Sequence, residues 1–432
     1  MKILFLSIFF ASICSPVLSQ YKNIKLTEQV DGRYPPVEPS ISINKSNPKN
    51  IVAGIVLDRV VSSKDGGVSW KETKLTSPFG VYGDPAVISN AKGSLFYFHL
   101  ADPSGKGQSD SSWLDRVVCH KSIDDGETWS EGESIGNNPP TDQDKAWPAV
   151  HPKKNLMCVT WTQFDKYGSK DTNCQSNIMF SKSNIGTHWS KPIQLNELPG
   201  DCLDDDFTAE GAVPAIGSDG KIYVVWANRG NIYFDRSFDE GNNWLKNDLL
   251  IGKQEGGWSL DIPGVQRCNG LPVLALDNGT GRYHGMLYIV YADQKNGKDD
   301  TDIWLIRSQN HGDYWSKPVR INKDSTRSHQ FLPWISVDPT NGHVFIVYYD
   351  RRNYSDNQTD VYLSYSEDGG NNFSEVKISD SSFVPDEANF FGDYTNIDAF
   401  EGTIAPIWTR MDKGRTSVWT SIIKEADLHK PK

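Results

Sequence analysis

The chain has 432 residues, of which 37% are hydrophobic and 23% charged, which is enough apolar sequence for a large folded core. Its net charge of −11 argues against nucleic acid as a partner, because nucleic-acid-binding surfaces are basic. Beyond the N-terminus, no segment approaches the roughly 18 consecutive apolar residues of a membrane helix, so we expect no membrane span.

The first residues have the pattern of a secretory signal peptide. Lys2 supplies a short basic region, Ile3 to Ile13 is apolar, and Val17-Leu18-Ser19 resembles a cleavage site. We therefore expect residues 1–19 to be removed and the mature chain to begin near Gln20. The sequence predicts a secreted protein, extracellular or periplasmic, with one domain over residues 20–432.

Five cysteines would remain after cleavage, and this odd number does not fit a disulfide framework. Cys174 and Cys202 are candidates for a single bridge. No His or Cys spacing indicates a zinc site.

A short motif, Ser-x-Asp-x-Gly-x-x-Trp, occurs six times at intervals of 55 to 71 residues. A carboxylate or amide at the third position closes a turn on nearby backbone N–H groups, glycine supplies positive φ, and the aromatic ring packs on a neighbouring unit. We interpret the motif as scaffold. Its copies begin at Ser63, Ser122, Lys182 (a degenerate copy), Ser237, Ser308 and Ser366, and the last has Phe373 in place of Trp.

Three β-like runs precede each motif and one follows it, which predicts four-stranded sheets repeated radially as a β-propeller. The innermost-strand pattern occurs seven times, so we expect seven blades rather than six. The seventh lacks an outer strand, and Tyr21 to Thr27 is the candidate that would close the ring. The predicted inner strands are Pro39–Ile43, Pro85–Ile88, Trp147–Val150, Val213–Ile216, Pro272–Leu276, Pro333–Val337 and Tyr394–Phe400.

The long polar loops fall on the face opposite the motif turns, so we expect a ligand there, near the axis. Several of these loops are acidic. Solvated charge is one interpretation and a structural Ca²⁺ on oxygen ligands is another. The acidic residues are Asp142, Asp144, Asp204, Asp205, Asp206, Glu210, Asp386, Glu387 and Asp393.

The six motifs resemble the Asp-box, or bacterial neuraminidase repeat, of the sialidase superfamily, over nearly all of the mature chain. The resemblance implies a site in which arginines hold a substrate carboxylate, a Tyr with a Glu base acts as nucleophile, and an Asp is the acid/base. By position the counterparts are Tyr394 for the nucleophile, Glu210 for its base, Asp58 for the acid/base, and Arg229 with Arg351 or Arg352 for substrate binding.

The first arginine of that site belongs in an Arg-Ile-Pro sequence, whereas here the first inner strand opens Glu38-Pro39-Ser40-Ile41 and the nearest arginine is Arg33. The resemblance implies a sialidase-like exo-glycoside hydrolase acting on terminal sugars of extracellular glycans, monomeric and without a required cofactor. Two alternatives stay open. One is a non-catalytic carbohydrate-binding propeller, and the other is a polysaccharide lyase of uronic-acid glycans with His329 or Tyr394 as base.

Overall fold

The computed structural model describes residues 21–430, which form seven four-stranded antiparallel sheets. The innermost strands contact one another in chain order, and the last contacts the first, so the sheets close into a seven-bladed β-propeller. This confirms the predicted fold and blade number. The predicted signal peptide, residues 1–19, lies outside the described residues.

Each blade runs outward from the axis in chain order. The strands of blade 1 are Ser40–Ile43, Ile51–Ile55, Arg59–Ser63 and Lys71–Lys74; of blade 2, Gly83–Ser89, Leu95–Leu100, Val117–Ser122 and Glu133–Ile135; of blade 3, Asp142–Val150, Met157–Phe164, Ser176–Ser183 and Ile193–Gln194; of blade 4, Glu210–Ile216, Ile222–Asn228, Asn231–Ser237 and Leu249–Lys253. Those of blade 5 are Val273–Leu276, Leu287–Asp293, Asp302–Ser308 and Val319–Arg320; of blade 6, Gln330–Val337, Val344–Asp350, Asp360–Ser366 and Ser374–Lys377; of blade 7, Asn396–Phe400, Thr403–Asp412, Arg415–Thr420 and Ile24–Glu28.

The N-terminal strand completes blade 7, as predicted. Ile24 pairs with Thr420 and Glu28 with Ser417 in an antiparallel ladder. The first and last strands of the chain therefore share one sheet, which leaves no open blade edge where the ring closes.

A hairpin, a short strand, a 3₁₀ turn and a short helix lie outside this scheme. A hairpin of Ser259–Leu260 and Cys268–Asn269 precedes blade 5, and Ile423–Lys424 pairs with the start of the second strand of blade 7. A 3₁₀ turn covers Gly107–Ser109, and a short helix covers Glu425–Leu428. Within residues 21–430 no helix has both the length and the apolar character to cross a membrane.

The Ser-x-Asp turns are closed by their own side chains, as the motif predicts. In blade 1, Ser63 Oγ donates to Asp65 Oδ1 at 2.8 Å, Gly67 N donates to Ser63 Oγ at 2.8 Å, and Ser69 N donates to Asp65 Oδ1 at 2.9 Å. The bond from the glycine N–H to the serine hydroxyl recurs in blades 2, 4, 5 and 6. These turns therefore belong to the scaffold.

The degenerate copy in blade 3 is built one residue later than predicted. Ser183, not Lys182, accepts the Gly186 N–H, at 2.9 Å. The Lys182 ammonium instead donates to the Glu240 carbonyl of the next blade at 2.7 Å. In three blades the motif tryptophan packs edge-on against a phenylalanine of the preceding blade, as Trp189 on Phe98, Trp244 on Phe180 and Trp315 on Phe234.

The predicted bridge between Cys174 and Cys202 is present, with the two Cα atoms 5.8 Å apart. It joins the loop after the second strand of blade 3 to the loop that leads into blade 4. Cys119, Cys158 and Cys268 are free and buried.

Candidate functional site

A cavity of about 460 Å³ opens near the axis, on the face opposite the Ser-x-Asp turns. Its wall is made by the starts of the inner strands of blades 1 to 3, by loops that follow second strands, and by the end of the small hairpin. A second cavity of about 30 Å³ adjoins it at Lys145 and is lined by the inner strands of blades 3 to 7. The expectation that the loop face holds the concave site is therefore met.

Backbone bulges determine which side chains face the cavity. The pairing of the inner strand with the second strand shifts at Asp84 in blade 2 and at Lys145 in blade 3, where φ is 51° and 44°. Glu38, directly before the inner strand of blade 1, has a φ of 53°. Positive φ is uncommon for residues other than glycine, and bulges next to active sites re-aim side chains. Three consecutive blades thus present a charged residue from the same position.

Blades 4 and 6 have the same bulge with different residues, Gly211 and Leu332. Neither carries a charge, so the polar part of the site is confined to one side of the axis. The sequence signal for this arrangement is a charged residue directly before the predicted inner strand. Only at Glu38 is this signal identified from the sequence, as a departure from the Arg-Ile-Pro sequence. At Asp84 and Lys145 the signal is missed.

The ammonium of Lys145 is the centre of the buried charge cluster. Its Nζ lies 3.1 Å from Glu210 Oε1, 3.2 Å from Asp393 Oδ2 and 4.0 Å from Asp144 Oδ2. Glu210 is completely buried. Burial alone would lower the pKa of Lys145, but the surrounding carboxylates outweigh it and raise that pKa well above its ordinary value. The ion pair is therefore fixed.

Arg267, from the hairpin before blade 5, is the second cation of the site. Its Nε donates to Asp393 Oδ1 at 2.9 Å, its Nη2 contacts the other oxygen of Asp393, and its Nη1 donates to Asp204 Oδ2 at 2.8 Å. Tyr167 also donates to Asp204 Oδ2, at 2.6 Å. Since the guanidinium already holds two carboxylates, it is not free to grip the carboxylate of a substrate.

The described residues around the cavity carry more carboxyl groups than these two cations neutralise. Burial raises the pKa of Glu38 to about 8 and the pKa of Asp84 well above its usual range, and the nearby carboxylates add to both shifts. In contrast, Lys145 and Arg267 overcome the effect of burial on Asp204 and lower its pKa. Six carboxyls share the site: Glu38, Asp84, Asp144, Asp204, Glu210 and Asp393.

Asp84 is the carboxyl group most available to a ligand. It lines the cavity, is half-buried, and has no hydrogen bond or ion pair with any residue between 21 and 430. Asp144 also lines the cavity, where it accepts the Lys145 backbone N–H at 2.8 Å. The cavity is thus lined by two carboxyl groups whose pKa burial raises, and one of them, Asp144, lies 4.0 Å from the Lys145 ammonium.

Aromatic rings also line the cavity. Tyr82 and Trp113 meet edge to face with centroids 5.4 Å apart, and Trp113 meets Tyr167 at 5.8 Å. Tyr34 and Phe390 form the rim, and Tyr34 is 45% exposed. A few polar groups facing an apolar wall are typical of sites for small ligands.

The predicted Tyr–Glu couple is not assembled. Tyr394 packs against Trp147 and Trp334 in the smaller cavity, with centroids 5.0 Å and 6.1 Å away. Its hydroxyl is buried without a hydrogen-bond partner in the described chain. Glu210 contacts Lys145 instead, because the bulge in blade 3 brings that ammonium between the strands. Both residues lie at the axis, as predicted, but not as a pair.

The predicted acid/base lies outside the cavity. Asp58 faces the outer strand of blade 1, where it pairs with Lys74 at 3.1 Å and with Arg33 at 3.5 Å. Arg33 also pairs with Glu72 at 3.0 Å and is exposed. These are surface ion pairs, which contribute little to stability.

The remaining arginines also lie away from the cavity. Arg229 is exposed above the Phe207 ring, because a tight turn at positive φ points it outward. Arg351 is buried and donates to the Pro263 carbonyl at 2.7 Å, while Arg352 donates to Asp350 Oδ2 at 2.6 Å. Contrary to the expectation from the resemblance, no described arginine except Arg267 lines the cavity.

Comparison with known proteins gives a likeness in structure but none in sequence. No protein-family model matches the chain, and no curated protein does. An ulvan lyase bound to a GlcA(1-4)Rha3S saccharide has a TM-score of 0.55 at 12% identity, over 94% of this chain and 96% of that chain. The NanB sialidase of Streptococcus pneumoniae has a TM-score of 0.51 at 10% identity, over 88% and 84% of the two chains.

A mutant α-L-arabinofuranosidase of Fusarium graminearum, bound to an iminosugar inhibitor, has a TM-score of 0.51 at 12% identity, over 95% of this chain and 100% of that chain. The chain spans 57% of the length of a Trypanosoma rangeli sialidase, with a TM-score of 0.47 and 15% identity over 83% of this chain. At such identities the three likenesses with TM-scores above 0.5 establish a shared propeller fold and no more. The names of those three proteins are those of enzymes that act on glycans.

Proposed function

We propose that the protein is a secreted glycoside hydrolase that cleaves a terminal, uncharged sugar from an extracellular glycan. The axial cavity would hold that sugar. The observation that carries the proposal is that Asp84 and Asp144 line this cavity together with the aromatic residues Tyr82, Trp113 and Tyr167.

Two carboxyl groups of unequal acidity are what most glycoside hydrolysis requires. One protonates the leaving-group oxygen, and the other activates water or attacks the sugar as a nucleophile. We assign the acid to Asp84, because burial and the neighbouring Glu38 raise its pKa. Burial raises the pKa of Asp144 as well, but the Lys145 ammonium, 4.0 Å from Asp144 Oδ2, opposes this shift. We therefore assign the base or nucleophile to Asp144.

Among residues 21–430, the cavity has no free cation for an acidic sugar. A sialic acid or a uronic acid would bring a carboxylate into a site where burial already raises the pKa of Glu38, Asp84 and Asp144. The resemblance implies an arginine cluster for such a substrate, whereas here Arg267 is engaged by Asp204 and Asp393. We therefore propose a neutral sugar in place of the sialoside first expected, and the same lack of a free cation in the described cavity argues against a uronate lyase.

The cavity continues into a shallower path on the same face. A cavity of about 190 Å³ shares Tyr34 and Phe390 with the axial cavity, and shares Gly414 with an outer cavity of about 660 Å³. A glycan whose terminal sugar lies in the axial cavity could extend through these cavities over blade 7. This supports an action on chain ends.

A panel of fluorogenic glycosides tests the proposal. We expect release from an uncharged furanoside or pyranoside, none from the sialoside or glucuronide, and a loss of kcat of about 10²–10⁴-fold in Asp84→Asn and in Asp144→Asn. Asp58→Asn is the matched control and should keep its activity, because Asp58 lies outside the cavity.

Two results would contradict the proposal. One is hydrolysis of the sialoside that Tyr394→Phe abolishes and Asp84→Asn does not. The other is saturable glycan binding without hydrolysis of any substrate in the panel, which would make the protein a carbohydrate-binding propeller.

A further inference from the structure

Four potential metal-binding side chains meet on the face opposite the axial cavity. His343, Glu367 and Glu425 each offer a ligand atom, and these atoms lie within 4.8 Å of one another. His429 adjoins this group through Glu367, with Nε2 2.9 Å from Glu367 Oε1. The cluster contains two imidazoles and two carboxylates, and it is separate from the site described above.

Three segments that are distant in sequence deliver these residues. His343 lies in the turn between the first two strands of blade 6, and Glu367 lies in the Ser-x-Asp turn of the same blade. Glu425 begins the short C-terminal helix and His429 ends it. Residues four apart on a helical turn project to the same side, so both face blade 6. Because only folding brings the four together, no sequence spacing could indicate them.

His343 and Glu425 are already paired with each other. In the tautomer that carries the proton on Nδ1, His343 donates to Glu425 Oε1. A metal ion would take the place of that proton, with the imidazole N–H moved to Nε2 and the two ligand atoms moved apart to admit the ion. Asn341 Nδ2 donates to the other carboxylate oxygen of Glu425 at 2.8 Å, which fixes its orientation as an outer-shell partner would.

We propose that His343, Glu367, Glu425 and His429 bind one Zn²⁺ ion, or a similar divalent first-row transition ion. Two imidazole nitrogens with two carboxylate oxygens form a four-coordinate set that suits Zn²⁺. Ca²⁺ and Mg²⁺ prefer all-oxygen sites and would bind here weakly.

At this position the ion would stabilise the closure of the propeller. Blade 7 has no Ser-x-Asp motif of its own, and the C-terminal segment occupies the corresponding surface. Gly67 in the turn of blade 1 packs closely on Ile422 of that segment. A metal ion bound to Glu425 and His429 would fasten the other side of the segment to blade 6. The ion would then join blade 6 to the C-terminal segment at blade 7, the blade without a Ser-x-Asp turn.

Titration of zinc into the EDTA-treated, full mature chain tests the site, with calorimetry and thermal unfolding as readouts. We expect one Zn²⁺ per chain at micromolar concentration and a rise in Tm. His343→Ala and Glu425→Gln should each weaken binding at least about tenfold, since the loss of even an outer-shell partner costs roughly 10–100-fold. His188→Ala is the matched control, because His188 is exposed on the same face outside the cluster.

Three outcomes would overturn the proposal. These are the absence of stoichiometric binding to the wild type, equal zinc affinities in His343→Ala and His188→Ala, and an equal rise in Tm with Ca²⁺. If His343→Ala does not fold, His429→Ala provides the same test, because His429 is exposed. Zinc binding and Tm are measured without any glycoside substrate, so these tests are independent of the proposed hydrolase activity.

Discussion

At the scale of single residues, the site depends on charged side chains held at positive φ. Glu38, Asp84 and Lys145 all have positive φ at the start of an inner strand, a conformation that most residues avoid. The packing of the ring of inner strands offsets the conformational cost of positive φ at these residues. As a result, their charged groups converge on one cavity. Such strain at a concave, charged site is typical of functional positions.

The pH dependence of hydrolysis should report the repulsion between Glu38 and Asp84. The Glu38 charge helps to hold the pKa of Asp84 high, so Glu38→Gln should lower that pKa. Since the acid must be protonated, the alkaline limb of kcat/KM should move to lower pH in this variant. Glu72→Gln, in a surface ion pair with Arg33, is the control and should leave the limb unmoved. An unchanged limb in Glu38→Gln would exclude Asp84 as the acid.

Removal of the central cation should destabilise the fold. Lys145→Met leaves Glu210 buried without its partner, and breaking such a pair costs about 3–5 kcal/mol of unfolding free energy. Urea unfolding at pH 8 measures this cost. Lys154→Met removes an exposed ion pair with Glu240 and should cost less than about 1 kcal/mol. Equal losses in the two variants would show that Lys145 is not the centre of the cluster.

At the scale of elements, the Ser-x-Asp turns should contribute to acid sensitivity. The hydroxyl and N–H groups of Thr128 donate to Asp124 and lower its pKa to about 2, against an ordinary 3.8. A carboxyl whose pKa is lowered by folding adds stability above pH 4, and that stability is lost as the pH falls from about 4 to 2.

Asp124→Asn should therefore unfold with a weaker pH dependence than the wild type between pH 4 and 2. Urea midpoints measured across this range provide the comparison. Asp171→Asn, which changes an exposed aspartate in a loop, should keep the dependence of the wild type. Identical curves for the wild type and Asp124→Asn would mean that the turn gains nothing from the ionised form.

The disulfide should hold the loop side of the cavity. Cys174 and Cys202 join the loop carrying Tyr167 to the loop carrying Asp204, two residues that are hydrogen-bonded beside Arg267. Replacing both cysteines by serine should cost about 2–4 kcal/mol of unfolding free energy, the usual range for such a loop. The buried free thiol of Cys158 provides the control, since Cys158→Ser keeps the bridge and should lose as much stability on reduction as the wild type. If the oxidised and reduced wild type have the same unfolding free energy, the predicted contribution of the disulfide is refuted.

The sequence was most informative where structure repeats. The seven inner strands, the N-terminal closing strand and the Cys174–Cys202 bridge were all predicted, because each depends on local pattern and topology. The site was predicted less well. Its face was predicted correctly, but the cation that pairs with Glu210 comes from a bulge. The alternation of apolar and polar residues that predicts a strand does not show where a bulge turns a side chain toward the axis.

At the scale of the whole molecule, ring closure joins the two ends of the chain. Ile24–Glu28 pairs with Arg415–Thr420, so the last blade cannot form without the first strand. A chain beginning at residue 30 should lose the cooperative thermal transition shown by a chain beginning at residue 20. Far-UV circular dichroism on heating makes the comparison, and matching transitions would show that blade 7 is stable with three strands.

The central claim is that the axial cavity beside Asp84 and Asp144 is where a glycan is bound and cleaved. A crystal structure of Asp84→Asn soaked with the best neutral glycoside of the panel tests it most directly. We predict the terminal sugar within hydrogen-bond distance of residue 84 and Asp144, with its ring facing Tyr82 and Trp113. A sugar bound among Arg229, Arg351 and Arg352, or no sugar in the cavity while the soaked crystal still binds it elsewhere, would contradict the account.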